Sequence, residues 1–229
     1  PLPGSGAPTT HIIKVPDHRH RRDPLHEHAA MELSSRTGFP TARTQLVELA
    51  DIPALVIERY DRIRDDDGRI RRRHQEDFCQ ALGLGSRQKY ERYGIGPRRF
   101  SADAIGKLLE RTTDPIIEKR RFVEITLFDI LIGNRDAHAK NFSLFHLPGG
   151  RVQTTPRYDV MPTMLDRNTT DEFAYRIGEA TDLSGLTPVA FDAFLAALGL
   201  VGEAVRRRLA ARIAPSEPVA DPDAPQAAP

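Results

Sequence analysis

The sequence contains no tryptophan and only one cysteine. That residue, Cys79, cannot form a disulfide within the chain, which is typical of proteins from a reducing compartment, so we expect a cytoplasmic protein. No run approaches the roughly 18–20 consecutive apolar residues of a membrane-spanning helix, so no membrane association is expected. Basic and acidic residues are nearly balanced, at 33 and 32, which excludes a uniformly basic nucleic-acid-binding protein.

What the sequence does contain is the composition of an ordinary globular protein, with 39% hydrophobic and 28% charged residues over 229 positions. That length is sufficient to bury a substantial core. Arginines cluster at 69–73, 98–99 and 206–208, but most such clusters are solvated faces, so contact with DNA should be weak or indirect, through a partner. The chain begins at Pro1 with neither an initiator methionine nor a targeting signal, as if it continued a longer sequence.

The pattern along the chain predicts three parts, covering residues 1–60, 61–214 and 215–229. The first is a partial β-rich lobe, with strands at 10–15, 44–49 and 54–59, a turn at 50–53 and a helix at 25–36. The second is mainly helical and starts with a charged connector at 61–73. The third has five prolines among Ala, Asp, Glu and Ser, cannot bury enough apolar surface to offset the entropy of ordering, and is predicted to be disordered.

The strongest single element is a helix at 115–132, whose apolar positions cover so much of its surface that it belongs in the core. Asp114 precedes it as the expected N-cap, and Gly133 supplies its C-terminal stop. Two further helices are predicted at 188–198 and 203–213.

A polar, charged segment follows this apolar helix directly: residues 133–141 read GNRDAHAKN. The catalytic loop of protein kinases has the motif H-R-D-x-x-x-x-N, in which the Asp is the catalytic base and the Asn binds the second magnesium ion. Asp136 and Asn141 have that spacing after Arg135, and only the leading His is replaced, by Asn134. Alone, such a motif would be taken for a solvated loop.

The segment after this loop predicts a β-hairpin, with strands at 142–145 and 151–154 around a Pro-Gly-Gly turn. Folding the chain about that turn brings Asn141 opposite Tyr158 or Asp159. An amide oxygen and a carboxylate side by side are ligands that Mg²⁺ takes together with nucleotide phosphates.

Together the helix, the loop and the hairpin indicate phosphoryl transfer. Asp136 would accept the proton of an acceptor hydroxyl, and Lys140 would balance charge that develops on the transferred phosphoryl group. Lys14, which ends an apolar strand, would contact the nucleotide phosphates, with an aggregation-blocking edge lysine as the alternative. Its helix partner would be Glu27 or Glu32, and the sequence does not distinguish them. The last strand of the first part would offer hinge backbone groups to an adenine ring.

Residues 133–143 resemble the G-N-x-D-x-H-x-K-N-x-S signature of the HipA-like serine/threonine kinases, which are toxins of bacterial toxin–antitoxin pairs. Further stretches agree with that family in order, at 9–14, 56–62, 75–80, 89–91 and 156–159. The resemblance implies an α+β, two-lobed protein-kinase-like (HipA-type) fold, with a small β-rich N-lobe remnant that binds nucleotide and a larger, mainly helical catalytic C-lobe. It also implies ATP and Mg²⁺ as cofactors, a HipB-type DNA-binding antitoxin as partner, and a protein substrate; family substrates include aminoacyl-tRNA synthetases.

For the site, the resemblance implies Asp136 as the catalytic base and Asn141 and Asp159 as ligands of Mg²⁺. The residues expected to bind the nucleotide are Lys14, Glu58, Arg59, Tyr60, His138, Ala139, Lys140, Asn141, Tyr158 and Asp159. Family members also carry an N-terminal subdomain and a glycine-rich phosphate loop, for which only eight residues remain before Thr9. We therefore expect a truncated kinase or, alternatively, a catalytically impaired remnant that acts as a nucleotide- or antitoxin-binding regulatory module.

Overall fold

The computed structural model describes residues 9–18, 20–166 and 168–201. The helix expected at 203–213, the tail at 215–229 and the basic cluster at 206–208 lie outside the described residues. Within them the chain forms three small antiparallel sheets and five α-helices. None of the helices formed by the described residues has both the length and the apolar character that crossing a lipid bilayer requires.

The first sheet consists of β1 (His11–Lys14), β2 (Thr44–Leu49) and β3 (Ile52–Glu58), with β3 in the middle and antiparallel to both neighbours. The sequence predicts all three strands, but the turn between β2 and β3 is shorter than predicted. It contains only Ala50 and Asp51, whose φ angles of 47° and 64° suit the twist of a two-residue hairpin. Alanine is not a usual turn residue at positive φ, and so the sequence pattern conceals the turn.

Helix α1 (Asp23–Arg36), which the sequence predicts at 25–36, packs against this sheet. Its buried residues Ala30 and Met31 belong to one apolar cluster with Leu55 of β3. Phe128, from the helical part of the chain, joins the same cluster. The first sheet therefore shares its core with the rest of the protein.

The charged segment that the sequence presents as a connector is instead a hairpin of β4 (Arg62–Arg64) and β5 (Ile70–Arg72). Arg62 and Arg72 face each other across it. Like charges in register disfavour strand pairing, which explains why the pattern does not predict the hairpin. The carboxylate of Asp61 offsets this repulsion, because it accepts a hydrogen bond from Arg62 Nη1 at 2.5 Å.

The third sheet consists of β6 (Gln75–Asp77), β7 (Ser143–His146) and β8 (Val152–Thr154), with β7 in the middle. Pairing of β7 with β8 confirms the hairpin predicted after the catalytic-loop motif. Helix α2 (Phe78–Ala81) begins directly after β6, and the Asp77 carboxylate caps it by accepting a backbone N–H at 2.8 Å.

Three longer helices follow, α3 (Ala102–Leu109), α4 (Pro115–Ile132) and α5 (Pro188–Ala197). Helix α4 has the predicted bounds and ends at Gly133 in the left-handed conformation. Asp114 occupies the N-cap position of α4, as predicted, but its side chain makes no capping hydrogen bond. Its backbone, at φ −130° and ψ 72°, lies outside the extended geometry from which a side chain reaches the first turn.

Helix α4 runs through the main core, as its apolar surface predicts. Phe122 of α4 lies among the rings of Phe142 and Tyr175, with ring centroids 5.1 and 5.5 Å away. Thr126, one turn later, forms a 2.7 Å hydrogen bond with the buried Tyr175 hydroxyl, which would otherwise lack a partner in the core. The middle of α4 is thereby packed in the core, and the polar loop begins where this helix ends.

Candidate active site

The catalytic-loop segment begins at Gly133, where α4 ends. The φ of Gly133 is 73°, and a Cβ at this position would lie 2.2 Å from the side chain of Met164, so glycine is required. The next residue, Asn134, donates from Nδ2 to Asp129 Oδ1 at 3.2 Å and accepts at Oδ1 from the backbone N–H of Asp136 at 3.1 Å. Asn134, which replaces the leading His of the kinase motif, therefore fastens the loop to α4.

The carboxylate of Asp136, the predicted base, is held through Oδ1, and its side chain is partly exposed. The hydroxyl of Tyr90 donates to Oδ1, whereas Oδ2 lies 3.9 Å from His138 Nε2. The side chain of Asp136 is 43% exposed, so a hydroxyl from outside can reach it. Burial lowers the pKa of His138 and outweighs the opposing effect of Asp136, so we take the ring as neutral near pH 7.

Lys14 connects the first sheet to this region through two carboxylates. Its Nζ donates to Glu27 Oε1 at 2.7 Å and to Asp159 Oδ1 at 2.5 Å. The helix partner that the sequence leaves open is therefore Glu27, while Glu32 is exposed elsewhere on α1. Burial acts to lower the pKa of Lys14, but the charges of Asp159 and Glu27 together outweigh it and raise the pKa, which keeps the ammonium charged.

The backbone at Asp159 is in an uncommon conformation, with a φ of 57° in the left-handed region. Residues other than glycine that hold this conformation are concentrated at functional sites, where the surrounding structure compensates for the strain. In this conformation the carboxylate of Asp159 contacts the ammonium group of Lys14, the last residue of β1.

A cleft of about 330 Å³ opens beside Lys14 and Asp159, a volume within the usual range for small-molecule sites. Seven of the predicted nucleotide-binding residues line it: Lys14, Glu58, Arg59, Tyr60, Lys140, Tyr158 and Asp159. The wall is completed by residues that are not among the predicted nucleotide-binding residues, although most of them lie in the stretches that agree with the family: Ile12, Ala42, Ile57, Asp61, Arg72, Gln75, Asp77, Gln80 and Ser143. Asp77 and Ser143 are opposed in the β6–β7 register, a pairing between distant segments that no local pattern shows.

Three predicted nucleotide-binding residues, His138, Ala139 and Asn141, do not line this cleft. The backbone N–H of Ala139 donates to the carbonyl of Lys89 at 3.0 Å, which fixes the middle of the loop. Asn141 donates from Nδ2 to the carbonyl of Asp136 at 2.8 Å. That bond orients the amide and leaves its oxygen as the atom that can bind a cation.

Tyr158 ties the wall of the cleft to the catalytic loop. Its hydroxyl donates to the carbonyl of Lys140 at 2.8 Å and accepts from the Ser143 hydroxyl at 2.6 Å. Its ring lies 5.8 Å from that of Tyr60. Burial raises the pKa of Tyr60 to about 12 and also raises the pKa of Tyr158, so both hydroxyls stay protonated and Tyr158 remains a donor.

A buried network below the loop is not indicated by any sequence pattern. Arg157 donates from Nη2 to Asp129 Oδ1, the oxygen that also holds Asn134, and from Nη1 to the Ser34 hydroxyl at 3.3 Å. Its guanidinium lies 4.9 Å from the centroid of the Phe128 ring. The network therefore links α1 through α4 to the loop that carries the predicted base.

The sequence profile of the HipA-like C-terminal domain matches residues 4–216. The chain belongs to the HipA-like C-terminal domain family. A putative kinase, Y4mE, from Sinorhizobium fredii is 35% identical to this HipA-like chain over 208 residues, covering 91% of the chain and 49% of the relative. The serine/threonine-protein kinase toxin HipA of Shewanella oneidensis is 32% identical over 201 residues, covering 84% and 46%. The chain thus spans about half the length of these relatives.

Solved structures confirm the predicted α+β, kinase-like architecture of HipA type. The Shewanella oneidensis structure of HipA with HipB and its operator DNA superposes with a TM-score of 0.79 at 30% identity, covering 90% of this chain and 48% of that one. The Helicobacter pylori proinflammatory kinase CtkA superposes with a TM-score of 0.55 at 10% identity, covering 92% and 78%, and supports the fold alone. The domain boundaries near residues 60 and 215 stay predictions.

Proposed function

We propose that this HipA-like chain is an ATP- and Mg²⁺-dependent serine/threonine protein kinase and transfers the γ-phosphoryl group of ATP to a protein hydroxyl. The observation that carries the proposal is the ion pair between Lys14 and Asp159. It joins the lysine at the end of β1 to the carboxylate that follows the β7–β8 hairpin, beside the cleft of about 330 Å³. Kinases assemble their phosphate-binding and metal-binding groups in this combination.

The donor groups present fit a magnesium ion. Mg²⁺ prefers hard oxygen ligands and takes one or two protein groups alongside substrate phosphates. The amide oxygen of Asn141 and the carboxylate of Asp159 supply such ligands, and the Asp159 side chain is 46% exposed. When bound, the ion would neutralise charge on the nucleotide phosphates.

The other residues of the site would each have a separate role in phosphoryl transfer. Lys14 would bind the phosphates, with Glu27 holding its ammonium in place. Residues 58–60, at the end of β3, would contact the adenine ring of the nucleotide. Lys140 would balance charge on the transferred phosphoryl group. Asp136 would accept the proton of the acceptor hydroxyl, for which its side chain is 43% exposed.

For partners, we propose a HipB-type antitoxin, with this chain as the toxin component. The proposal is supported by the likeness to HipA in a complex with HipB and operator DNA. Any DNA contact by this chain would then be indirect, through the antitoxin. An aminoacyl-tRNA synthetase is the first protein substrate to test, because the chain's family resemblance points there, and such a substrate implies a cytoplasmic location.

The proposal is tested with the purified chain, Mg²⁺ and radiolabelled ATP. We expect Mg²⁺-dependent transfer of label to serine or threonine of a protein, and binding of a non-hydrolysable Mg-ATP analogue by calorimetry. Binding without any transfer would contradict the kinase proposal and favour the nucleotide-binding regulatory module. If the chain showed neither nucleotide binding nor phosphoryl transfer, the cleft would have no role in nucleotide chemistry. That result would refute both the kinase proposal and the regulatory-module alternative.

Replacement of Lys14 by methionine is expected to weaken Mg-ATP binding at least tenfold, about 1.4 kcal/mol, because the phosphates lose their cation at β1. Calorimetric titration of the non-hydrolysable analogue measures the effect. Lys107→Met is the matched control, since Lys107 is exposed on α3 and pairs with Asp103 in its own helix. Equal affinities in Lys14→Met and Lys107→Met would remove Lys14 from the nucleotide site.

A further inference from the structure

Tyr90 is built into the catalytic centre, although neither the kinase loop motif nor the cleft includes it. The backbone around it is fixed on two sides. The carbonyl of Lys89 accepts from the N–H of Ala139 in the catalytic loop at 3.0 Å, and the N–H of Glu91 donates to the carbonyl of Ala174 at 2.9 Å. These bonds place the Tyr90 hydroxyl against Asp136, to whose Oδ1 it donates.

The surroundings of the Tyr90 ring keep this hydroxyl in place as a donor. The guanidinium of Arg92 lies 4.3 Å from the ring centroid, and the ring of His138 packs edge-on at 5.2 Å. Lys89 Nζ lies 5.0 Å from the same centroid. Burial, together with the hydrogen bond to Asp136, raises the pKa of Tyr90, so the hydroxyl keeps its proton throughout the physiological range.

We propose that Tyr90 is a positioning residue for phosphoryl transfer, which holds Oδ1 of Asp136 so that Oδ2 alone faces the acceptor hydroxyl. This inference rests on the proposed kinase function and assigns a role to a residue outside the motif. Asp136 Oδ2 is then the proton acceptor. The proton of the substrate hydroxyl moves to Oδ2 while the oxygen of that hydroxyl bonds to the γ-phosphorus. The bond from that phosphorus to the β,γ-bridging oxygen breaks, and ADP leaves with the electron pair.

A hydrogen bond to the ionised form of a carboxylate favours that form and restricts its rotation. Both effects serve a base that must be unprotonated and correctly aimed. The same geometry has a competing interpretation, in which the Tyr90 hydroxyl occupies the place of the acceptor hydroxyl and blocks the site. The two interpretations predict opposite changes in rate when the hydroxyl is removed.

The first test is Tyr90→Phe, with Tyr93→Phe as the matched control. Tyr93 lies on the same segment, its ring packs 5.9 Å from that of Tyr90, and its side chain is largely exposed. We expect Tyr90→Phe to lower kcat about tenfold or more while the KM for Mg-ATP stays within about twofold, because only the base is affected. This split, with a lower kcat at a nearly constant KM, is an effect that a general loss of packing would not produce.

An unchanged kcat in Tyr90→Phe would overturn the proposal, and a faster Tyr90→Phe would show that Tyr90 blocks the site instead.

A second readout separates this inference from the proposed function. With tyrosine labelled by ¹³C at Cζ, the resonance missing from Tyr90→Phe identifies Tyr90, and Asp136→Asn should shift it and lower its titration midpoint. This measurement needs no activity. A wild type without phosphoryl transfer would refute the kinase proposal, whereas a Tyr90 resonance insensitive to Asp136→Asn would refute the contact itself.

Discussion

Asp136→Asn is expected to lower the rate of phosphoryl transfer about 10³-fold, since an amide cannot take the acceptor proton that a general base removes. The change should leave the loop intact, because the bonds that shape it involve the backbone of this residue. Asn141 bonds to the carbonyl of Asp136, and Asn134 bonds to its N–H. The Tyr90 hydroxyl can still donate to the oxygen of the new amide. Transfer of label from ATP under saturating nucleotide measures the loss.

The control for this variant is nucleotide affinity, which should change less than twofold because Asp136 does not line the cleft. Asp103→Asn, on the exposed surface of α3, removes a carboxylate of the same size and should retain full activity. If Asp136→Asn kept more than a tenth of the wild-type rate, Asp136 would not be the base.

Arg157→Met is expected to reduce the free energy of unfolding by about 3–5 kcal/mol, because it leaves the buried carboxylate of Asp129 without its cation. Both side chains are less than a tenth exposed. Since single domains are stable by about 5–15 kcal/mol, the variant should be close to unfolding at 37 °C. Urea titration followed by circular dichroism measures the change.

The double variant Asp129→Asn with Arg157→Met distinguishes an unpaired charge from lost packing. With the charge removed, the neutral amide can still bond Asn134, and most of the lost stability should return. Arg151→Met, at an exposed position before β8, should change the free energy of unfolding by less than about 0.5 kcal/mol. A double variant as unstable as Arg157→Met alone would show that packing of the guanidinium on Phe128, and not charge pairing, is what stabilises this region.

Elements with a strong local signal are predicted correctly from the sequence. Helix α4 has a wide apolar stripe and a glycine stop, and the β7–β8 hairpin has a Pro-Gly-Gly turn, so both appear where expected. The β4–β5 hairpin is missed because its strands consist mostly of arginine, whose pairing depends on Asp61 just before them. The local pattern therefore predicts apolar elements well and charged ones poorly.

In the candidate site, spacing in the sequence indicates Asp136, Asn141 and Asp159, whose roles stay predictions. Spacing does not indicate the partner of Lys14, because that partner depends on how α1 is rotated against the sheet. Glu27 shares the buried face of α1 with Ala30 and Met31, three and four positions later, whereas Glu32 lies on another face. Tyr90 and Arg157 act through contacts with residues far away in sequence, and no local spacing indicates such contacts.

The ion pair between Lys14 and Asp159 has a thermodynamic consequence for ligand binding. Each of these side chains at present satisfies the other, although one is the proposed partner of phosphate and the other of the metal. Whichever ligand arrives first must separate the pair and leaves the second group free, so nucleotide and cation should bind with positive, reciprocal coupling. Titrations of ATP with and without Mg²⁺ should therefore show a coupling that is much smaller in Lys14→Met, and equal coupling in both proteins would exclude this linkage.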